Sequence, residues 1–246
     1  MKQTRDIMGM PVTVEINDAH AKPAAFQAVF DYFSRVDQRY STYKPSSEIS
    51  QINAGLPRAK WSQEMKQIMK LCQQTKHDTN GYFDIEHNGQ LDPSGLVKGW
   101  AIQNAADLLA DKGYKHYYVD VAGDVQVSRS NTGNKPWRIG IRNPLNRDEI
   151  IKVLNVRSQG VATSGTAIRG NHIYNPLSRA EPAKELISLT VIGPDIYNAD
   201  RFATAAFAMG TRGIHFLEKL KGYEAYAIDP AGIATMTTGF ESYVTS

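Results

Sequence analysis

Short strand-like segments follow one another between residues 116 and 193, and this stretch restricts the possible folds more than any other part of the sequence. Turn-rich pieces such as 131–134 separate the segments, so neighbours are close enough in sequence to pair as hairpins. The predicted strands are 116–121, 124–128, 137–142, 151–156 and 186–192. The stretch therefore predicts a largely antiparallel sheet.

Helical periodicity occurs on both sides of these strands. Helices are predicted after Pro23, from Ser62 to about Gly81 and from Gly95 to Gly113, and two more at 199–209 and 212–220. Further strands are predicted at 10–17, 224–229 and 233–238. Because helices and strands are partly segregated, an α+β fold is favoured over a doubly wound sheet. With no repeat or linker, residues 1–246 are predicted to form a single compact domain of largely antiparallel mixed sheets with flanking helices.

Composition and charge exclude several classes of function. The sequence has no long apolar run, so no transmembrane segment is expected. A formal net charge of +3, from 28 basic and 25 acidic residues, is too small to argue for a nucleic-acid partner. Cys72 is the one cysteine in the sequence, which excludes disulfides and cysteine metal clusters, and its apolar neighbours predict a buried thiol.

The first nine residues contain neither the apolar core of a secretory signal nor a lipid-attachment cysteine. The chain as written is therefore expected to be cytoplasmic. The sequence leaves open whether a leader once preceded it.

The segment from Asp92 to Trp100 places a carboxylate, a glycine-containing turn and Lys98 where an apolar helix begins. The first backbone N–H groups of a helix lack partners and carry partial positive charge, so such a turn is suited to bind a phosphate. The spacing matches neither a P-loop nor the glycine fingerprint of dinucleotide-binding proteins. A helix with a polar cap and a solvated lysine explains these residues equally well.

Asp200 and Thr204 lie four residues apart near the start of a predicted helix, so their oxygens project from one face. A carboxylate and a hydroxyl are hard oxygen ligands that suit Mg²⁺. The alternative is structural, because an aspartate near a helix start complements the helix dipole and a threonine bonds back to the preceding turn.

Three further groups of residues suggest a ligand site. Residues 160–166 end a strand in glycine and small hydroxyl residues. Such a segment either lets a ligand approach the backbone closely or forms a plain turn. His172 has an intrinsic pKa suited to a general base, although a lone histidine is more often structural. Aromatic residues interleaved with hydrogen-bonding groups at 40–53 and 82–84 suit a flat heteroaromatic ligand, or simply core packing with surface caps.

In their order along the chain, these motifs resemble the FAD:protein FMN transferase family, the ApbE-like flavin transferases, in a short form. The resemblance extends from Met8 to Gly210. It rests on the segments 8–10, 40–43, 47–53, 83–84, 92–99, 162–165, 172–176 and 199–204. Each motif alone is weak, whereas their agreement in one order makes coincidence improbable.

The resemblance implies an enzyme that binds FAD as a substrate, uses Mg²⁺ at its pyrophosphate, and transfers FMN to a threonine or serine hydroxyl of an acceptor flavoprotein, releasing AMP. It implies that Asp200, Thr204 and the backbone carbonyl of Gly95 hold the metal, and that His172 takes the proton of the acceptor hydroxyl. The residues implied to contact the flavin nucleotide are Met8, Tyr43, Tyr82, Phe83, Asp84, Asp92, Lys98 and Ile173.

This sequence departs from the family pattern at three places. The connection from Phe83 to Asp92 is short, which predicts a more open rim of the site. Asn175 replaces the aspartate that usually precedes the proline of the His-Ile-x-Asp-Pro motif, which removes a negative charge near His172. Residues 120–123, Asp-Val-Ala-Gly, replace the usual asparagine and double glycine, which predicts altered reception of the ligand's phosphate or ribose.

Three alternatives to flavin transfer fit the same residues. If water replaces the protein hydroxyl as the acceptor, the chain is an FAD pyrophosphatase that yields FMN and AMP. If catalysis has been lost, the chain is an FAD-binding protein; the departures at Asn175 and Asp120 keep this alternative open. A nucleotide-binding module unrelated to flavin requires the order of motifs to be coincidental.

Overall fold

An antiparallel sheet of eight strands forms the centre of the computed structural model, which describes residues 1–146, 148–166, 173–178 and 181–245. The strands in chain order are β1 (Lys2–Ile7), β2 (Met10–Ile16), β3 (Glu86–His87), β4 (Gln90–Leu91), β5 (Tyr117–Val121), β6 (Asp124–Val127), β7 (Trp137–Arg142), β8 (Ile150–Val156), β9 (Gly160–Gly165), β10 (Tyr174–Asn175), β11 (Glu181–Pro182), β12 (Ser188–Gly193), β13 (Glu224–Ile228) and β14 (Ala234–Met236). The helices are α1 (Pro23–Tyr40), α2 (Glu48–Asn53), α3 (Gln63–Asp78), α4 (Ser94–Asp111), α5 (Ile196–Ala208) and α6 (Arg212–Glu218).

The main sheet has the order β1-β2-β5-β6-β9-β12-β13-β14, and each neighbouring pair is antiparallel. The predicted α+β class with a largely antiparallel sheet is therefore confirmed. Hairpin pairing of neighbours is correct for β5 with β6 and for β7 with β8. It is wrong for β6 and β7, because β6 pairs with β9 while β7 and β8 form a separate two-stranded sheet.

Two hydrophobic clusters stabilise this arrangement. The larger one joins the buried stripes of α1, α4 and α5 to one face of the main sheet. The smaller one packs the β7–β8 hairpin against the opposite side, around Trp137, Leu154 and Phe240. Cys72 belongs to the larger cluster, where burial raises the pKa of its thiol to about 12. The prediction of a buried thiol is thus confirmed.

The starts of α3 and α5 are set by capping side chains. Ser62 caps α3 as predicted, with its Oγ accepting the backbone N–H of Met65 at 3.1 Å. Helix α5 begins at Ile196, three residues earlier than predicted, because Asp195 Oδ1 accepts the N–H of Asn198 at 2.8 Å. As a result Asp200 lies in the second turn of α5, where it is buried, and does not act as a residue of the helix start.

Helix α2 and strand β1 were not predicted. Helix α2 has six residues, too few for a clear periodic pattern, although Ser47 Oγ caps it by accepting the N–H of Ser50 at 3.1 Å. Strand β1 is an edge strand of mostly exposed polar residues, so it shows no apolar alternation. None of the helices in the described ranges combines the length and apolar character that crossing a membrane requires.

Three two-residue turns with positive φ at both positions close hairpins of this fold. The pairs are Met8–Gly9, Asn88–Gly89 and Ala122–Gly123. This conformation is typical of type I′ turns, which favour asparagine or glycine at the first position. Ala122, at φ 53°, has neither the freedom of glycine nor the local hydrogen bonding of asparagine.

Ala122→Gly is expected to stabilise the protein by about 1 kcal/mol, because it relieves the left-handed backbone conformation. The matched change Asn88→Ala, at φ 51° in an equivalent turn, is expected to destabilise it. Urea unfolding measures both free energies. A loss of stability in the Ala122→Gly variant would contradict this account of the turn.

Candidate functional site

One cleft of about 2410 Å³ brings together residues that are far apart in the sequence. Its walls include the first turns of α4, the inner face of α5, the turns after β1 and β5, and strand β7. The sequence-predicted residues that line it are Met8, Tyr43, Tyr82, Phe83, Asp84, Asp92, Gly95, Lys98, Ile173, Asp200 and Thr204. His172, the predicted base, lies outside the described residues.

Helices α4 and α5 meet in an antiparallel arrangement at two glycines. Thr204 Oγ1 donates a hydrogen bond to the carbonyl oxygen of Gly95, at 3.4 Å. One turn further along α4, the backbone N–H of Gly99 donates to Asp200 Oδ2 at 2.7 Å. A Cβ on Gly99 would lie 2.5 Å from Asp200 Cβ and 2.8 Å from the carbonyl oxygen of Ile196. The absence of a side chain at Gly99 therefore permits the approach that brings Gly95 to Thr204.

Asp200 is only 3% exposed, although it carries an ionisable side chain. Burial raises the pKa of Asp200, while the nearby Lys98 ammonium and the Gly99 N–H lower it. A carboxylate in this position is stabilised when a cation stands beside it.

Lys98 lies between two buried carboxylates. Its Nζ forms an ion pair with Asp124 Oδ2 and lies 3.6 Å from Asp200 Oδ1. Lys98 lines this wall of the cleft, and its ammonium is paired with carboxylates rather than simply solvated. Asp124 was not identified from the sequence; a signal was present, since it is a charged residue at the start of a short apolar strand.

The oxygens around Gly95 and Asp200 fit a hard divalent cation. They comprise a carboxylate, a hydroxyl and a backbone carbonyl, which is the donor chemistry that Mg²⁺ takes alongside water and phosphate oxygens. The two buried carboxylates outnumber the single ammonium of Lys98, so a cation here offsets excess negative charge. No cluster of three or more His, Cys, Asp or Glu is arranged for a metal within the described ranges, and the Asp200 set has only one carboxylate.

The predicted flavin contacts from 82 to 92 lie on one wall of the cleft. Phe83 is buried, and its ring approaches the position that a Cβ on Gly95 would occupy, at 3.4 Å. Tyr82 accepts a hydrogen bond from Arg212 at 2.7 Å, and Asp84 pairs with Lys76 at 2.5 Å. Asp92 Oδ1 accepts the N–H of Ser94 at 2.9 Å, so its carboxylate fixes the turn before α4.

The short connection from Phe83 to Asp92 folds as the β3–β4 hairpin at the rim of the cleft. Asn53 holds it with two hydrogen bonds, donating to the carbonyl of Leu91 at 3.0 Å and accepting its N–H at 2.8 Å. The ring of His87 packs on that of Tyr174, with centroids 4.2 Å apart. Neither Asn53 nor His87 was identified as a site residue, and both line the cleft.

Asn175, which departs from the family pattern, forms a local turn, and Tyr43 lines the cleft with an exposed ring. Asn175 Oδ1 accepts the N–H of Leu177 at 2.9 Å, a turn that an aspartate would also form. Tyr43 is 93% exposed, so its ring is available to a ligand or a partner at the mouth of the cleft.

Asp120 lies in β5, where burial raises the pKa of its carboxyl. The N–H of Gly123 donates to its Oδ1 at 2.8 Å and partly opposes this shift. The fold therefore disfavours the charged form of Asp120 relative to the neutral form. The resulting contribution to stability is fully present below the unfolded-state pKa of about 3.9 and is lost as the pH rises through the folded-state pKa.

Asp120→Asn is expected to increase stability near pH 7, since the amide keeps the hydrogen bond from Gly123 and removes the cost of a partly buried charge. The gain should shrink as the pH falls below the unfolded-state pKa. Urea unfolding at acidic and neutral pH, with the exposed Asp6→Asn as control, measures the difference. Equal gains at both pH values would contradict the expected role of burial.

Comparison with protein-family models shows a match to the ApbE family over residues 8–90 and 85–227. Among curated proteins, the chain is 28% identical over 166 residues to the FAD:protein FMN transferase of Vibrio cholerae, covering 63% of this chain and 48% of the relative. It is 26% identical over 168 residues to the protein of the same name from Salmonella typhimurium, with the same two coverages of 63% and 48%. The matched region therefore spans about half the length of these curated relatives.

Solved structures share the fold over nearly the whole chain. The ApbE protein from Thermotoga maritima superposes with a TM-score of 0.88 at 20% identity, covering 100% of this chain and 99% of its own. The flavin transferase ApbE from Vibrio cholerae gives a TM-score of 0.85 at 20% identity, covering 99% and 98%. At this level of identity the two likenesses establish the fold.

Proposed function

The chain belongs to the ApbE family, and from this premise we propose that it is a Mg²⁺-dependent FAD:protein FMN transferase. The substrate is FAD, and the acceptor is a threonine or serine hydroxyl of a flavoprotein. The observation that carries the proposal is the meeting of Gly95, Thr204, Asp200 and Lys98 on one wall of the cleft. The curated relatives support the choice of flavin, since they are named FAD:protein FMN transferases.

In the proposed reaction the hydroxyl oxygen of the acceptor forms a bond to the phosphorus of the FMN half of FAD. The bond from that phosphorus to the bridging oxygen of the pyrophosphate breaks, and AMP leaves with the bridging oxygen. The hydroxyl proton passes to a base, for which His172 is the candidate. Catalysis of such a displacement depends mainly on positioning and on electrostatic stabilisation.

The chain's own residues supply positioning and charge. Asp200, Thr204 and the carbonyl of Gly95 would hold Mg²⁺, whose bound charge stabilises the negative phosphate oxygens. The Gly99 N–H orients the Asp200 carboxylate through a 2.7 Å hydrogen bond. The exposed Tyr43 offers an aromatic surface suited to the flat ring systems of FAD.

Incubation with FAD and Mg²⁺, with and without an acceptor domain that carries a threonine site, tests this function. In-gel flavin fluorescence of the acceptor together with AMP in the chromatogram supports transfer. AMP without labelled acceptor supports FAD hydrolysis, and tight FAD binding without either product supports a binding protein. Failure to bind or consume FAD would exclude the proposal.

His172→Ala is expected to lower the rate of transfer by about 100-fold while FAD binding stays largely intact, because a base contributes to proton transfer and little to affinity. The control is His215→Ala on α6, which does not line the cleft. FAD fluorescence titration measures binding, and AMP release measures rate. An unchanged rate would exclude His172 as the base.

A further inference from the structure

Lys98 is held unequally by the two carboxylates beside it. Its Nζ forms a close ion pair with Asp124 Oδ2, whereas it is 3.6 Å from Asp200 Oδ1. The second separation is longer than an ordinary hydrogen bond. Of these two carboxylates, that of Asp124 is therefore the closer to the ammonium, and both attract it.

Asp124 is in turn fixed by the main sheet. It is 2% exposed, and its Oδ1 accepts the backbone N–H of Thr163 at 2.9 Å. Asp124 begins β6 and Thr163 lies in β9, two strands that pair directly. The sheet thus sets the position of the Asp124 carboxylate, and that carboxylate sets the position of the Lys98 ammonium.

We propose that Asp124 is a positioning residue that draws the Lys98 ammonium away from Asp200 and so keeps Asp200 Oδ1 available to a divalent cation. The other oxygen, Oδ2, accepts the N–H of Gly99. The inference rests on the proposed function in one respect, that a cation binds at Asp200. It adds a role for a residue that does not itself contact the cation.

The local charges explain why Asp124 matters. Two carboxylates and one ammonium give this group a net charge of about −1, which favours a cation. Without the charge of Asp124, Lys98 and Asp200 neutralise each other, and the ammonium competes with the cation for the same oxygen. Burial strengthens this competition because solvent screens the charges poorly.

Asp124→Asn tests the proposal, since the amide oxygen still accepts the N–H of Thr163 and only the charge is lost. Titration of the FAD-free chain with Mn²⁺, followed by the EPR signal of the free ion, is expected to show affinity weakened about tenfold or more. Metal-free FAD binding, followed by flavin fluorescence, should stay equal or become tighter. A merely structural role would weaken both, and an unchanged Mn²⁺ affinity would also overturn the proposal.

The double variant Asp124→Asn/Lys98→Met separates charge from structure. Its net charge returns to about −1, so most of the lost Mn²⁺ affinity should be recovered. Affinity no better than that of Asp124→Asn alone would overturn the proposal. If Asp124→Asn does not fold, Lys98→Met alone decides the question: its Mn²⁺ affinity should be equal or higher, and a fall would overturn the proposal.

Failure of the role proposed for Asp124 and failure of the proposed function are distinguishable, because the cation titration uses neither FAD nor an acceptor. A wild-type chain that binds Mn²⁺ without transferring flavin leaves the role of Asp124 intact and removes the proposed function. A wild-type chain that binds no Mn²⁺ overturns the role assigned to Asp124.

Discussion

Under the proposed function, Asp200→Asn is expected to reduce FMN transfer by about a thousandfold, because the cation that this carboxylate would hold supplies several kcal/mol of charge stabilisation at the pyrophosphate. The amide keeps an oxygen for the 2.7 Å hydrogen bond from the Gly99 N–H, so the α4–α5 contact is preserved. The fold should therefore remain intact, and removal of a buried carboxylate should leave stability equal or higher at neutral pH.

AMP release under saturating FAD and Mg²⁺ measures this loss, and circular dichroism verifies the fold. The matched control is Asp107→Asn, an exposed aspartate on α4 whose change should leave the rate unaffected. Wild-type rates in the Asp200→Asn variant would remove Asp200 from the proposed metal site.

Gly99→Ala is expected to destabilise the protein by about 3 kcal/mol and to disrupt the site, because the added methyl has no space. Its Cβ would lie 2.5 Å from Asp200 Cβ and 2.8 Å from the Ile196 carbonyl oxygen, and the second atom belongs to rigid backbone. In a helix interior, replacing glycine by alanine usually stabilises by about 0.5–1 kcal/mol, so the sign of this change is diagnostic.

Urea unfolding measures the free energy, and AMP release measures the accompanying loss of activity. Asp107→Ala, at an exposed position of the same helix, should change stability by about 0.5 kcal/mol or less. A Gly99→Ala variant that is more stable than wild type would mean that α4 and α5 are not in the close contact described.

The elements that the sequence predicts well carry local signals. Pro23 with the apolar stripe of α1, the serine cap of α3 and the glycine after α4 each depend on neighbouring residues alone. Strand β1 shows the converse: its residues are polar and exposed, so only its pairing with β2 identifies it.

The candidate site likewise contains residues with a local sequence signal and residues without one. Asp200 and Thr204 are candidates from the sequence alone because their spacing of four places both on one helix face. Gly99 and Asp124 are not, because their roles depend on contacts between α4 and α5 and between β6 and β9. Helix α5 begins three residues before the predicted start, because Asp195 caps it ahead of the apolar run that follows.

Mass spectrometry of an acceptor flavoprotein after incubation with this chain, FAD and Mg²⁺ tests the central claim most directly. We predict a threonine or serine residue whose mass rises by that of FMN less one water, with an equal amount of AMP released. The modification should disappear when Asp200→Asn replaces the wild-type chain. An unmodified acceptor, in the presence of FAD that the chain binds and Mg²⁺, would contradict the account.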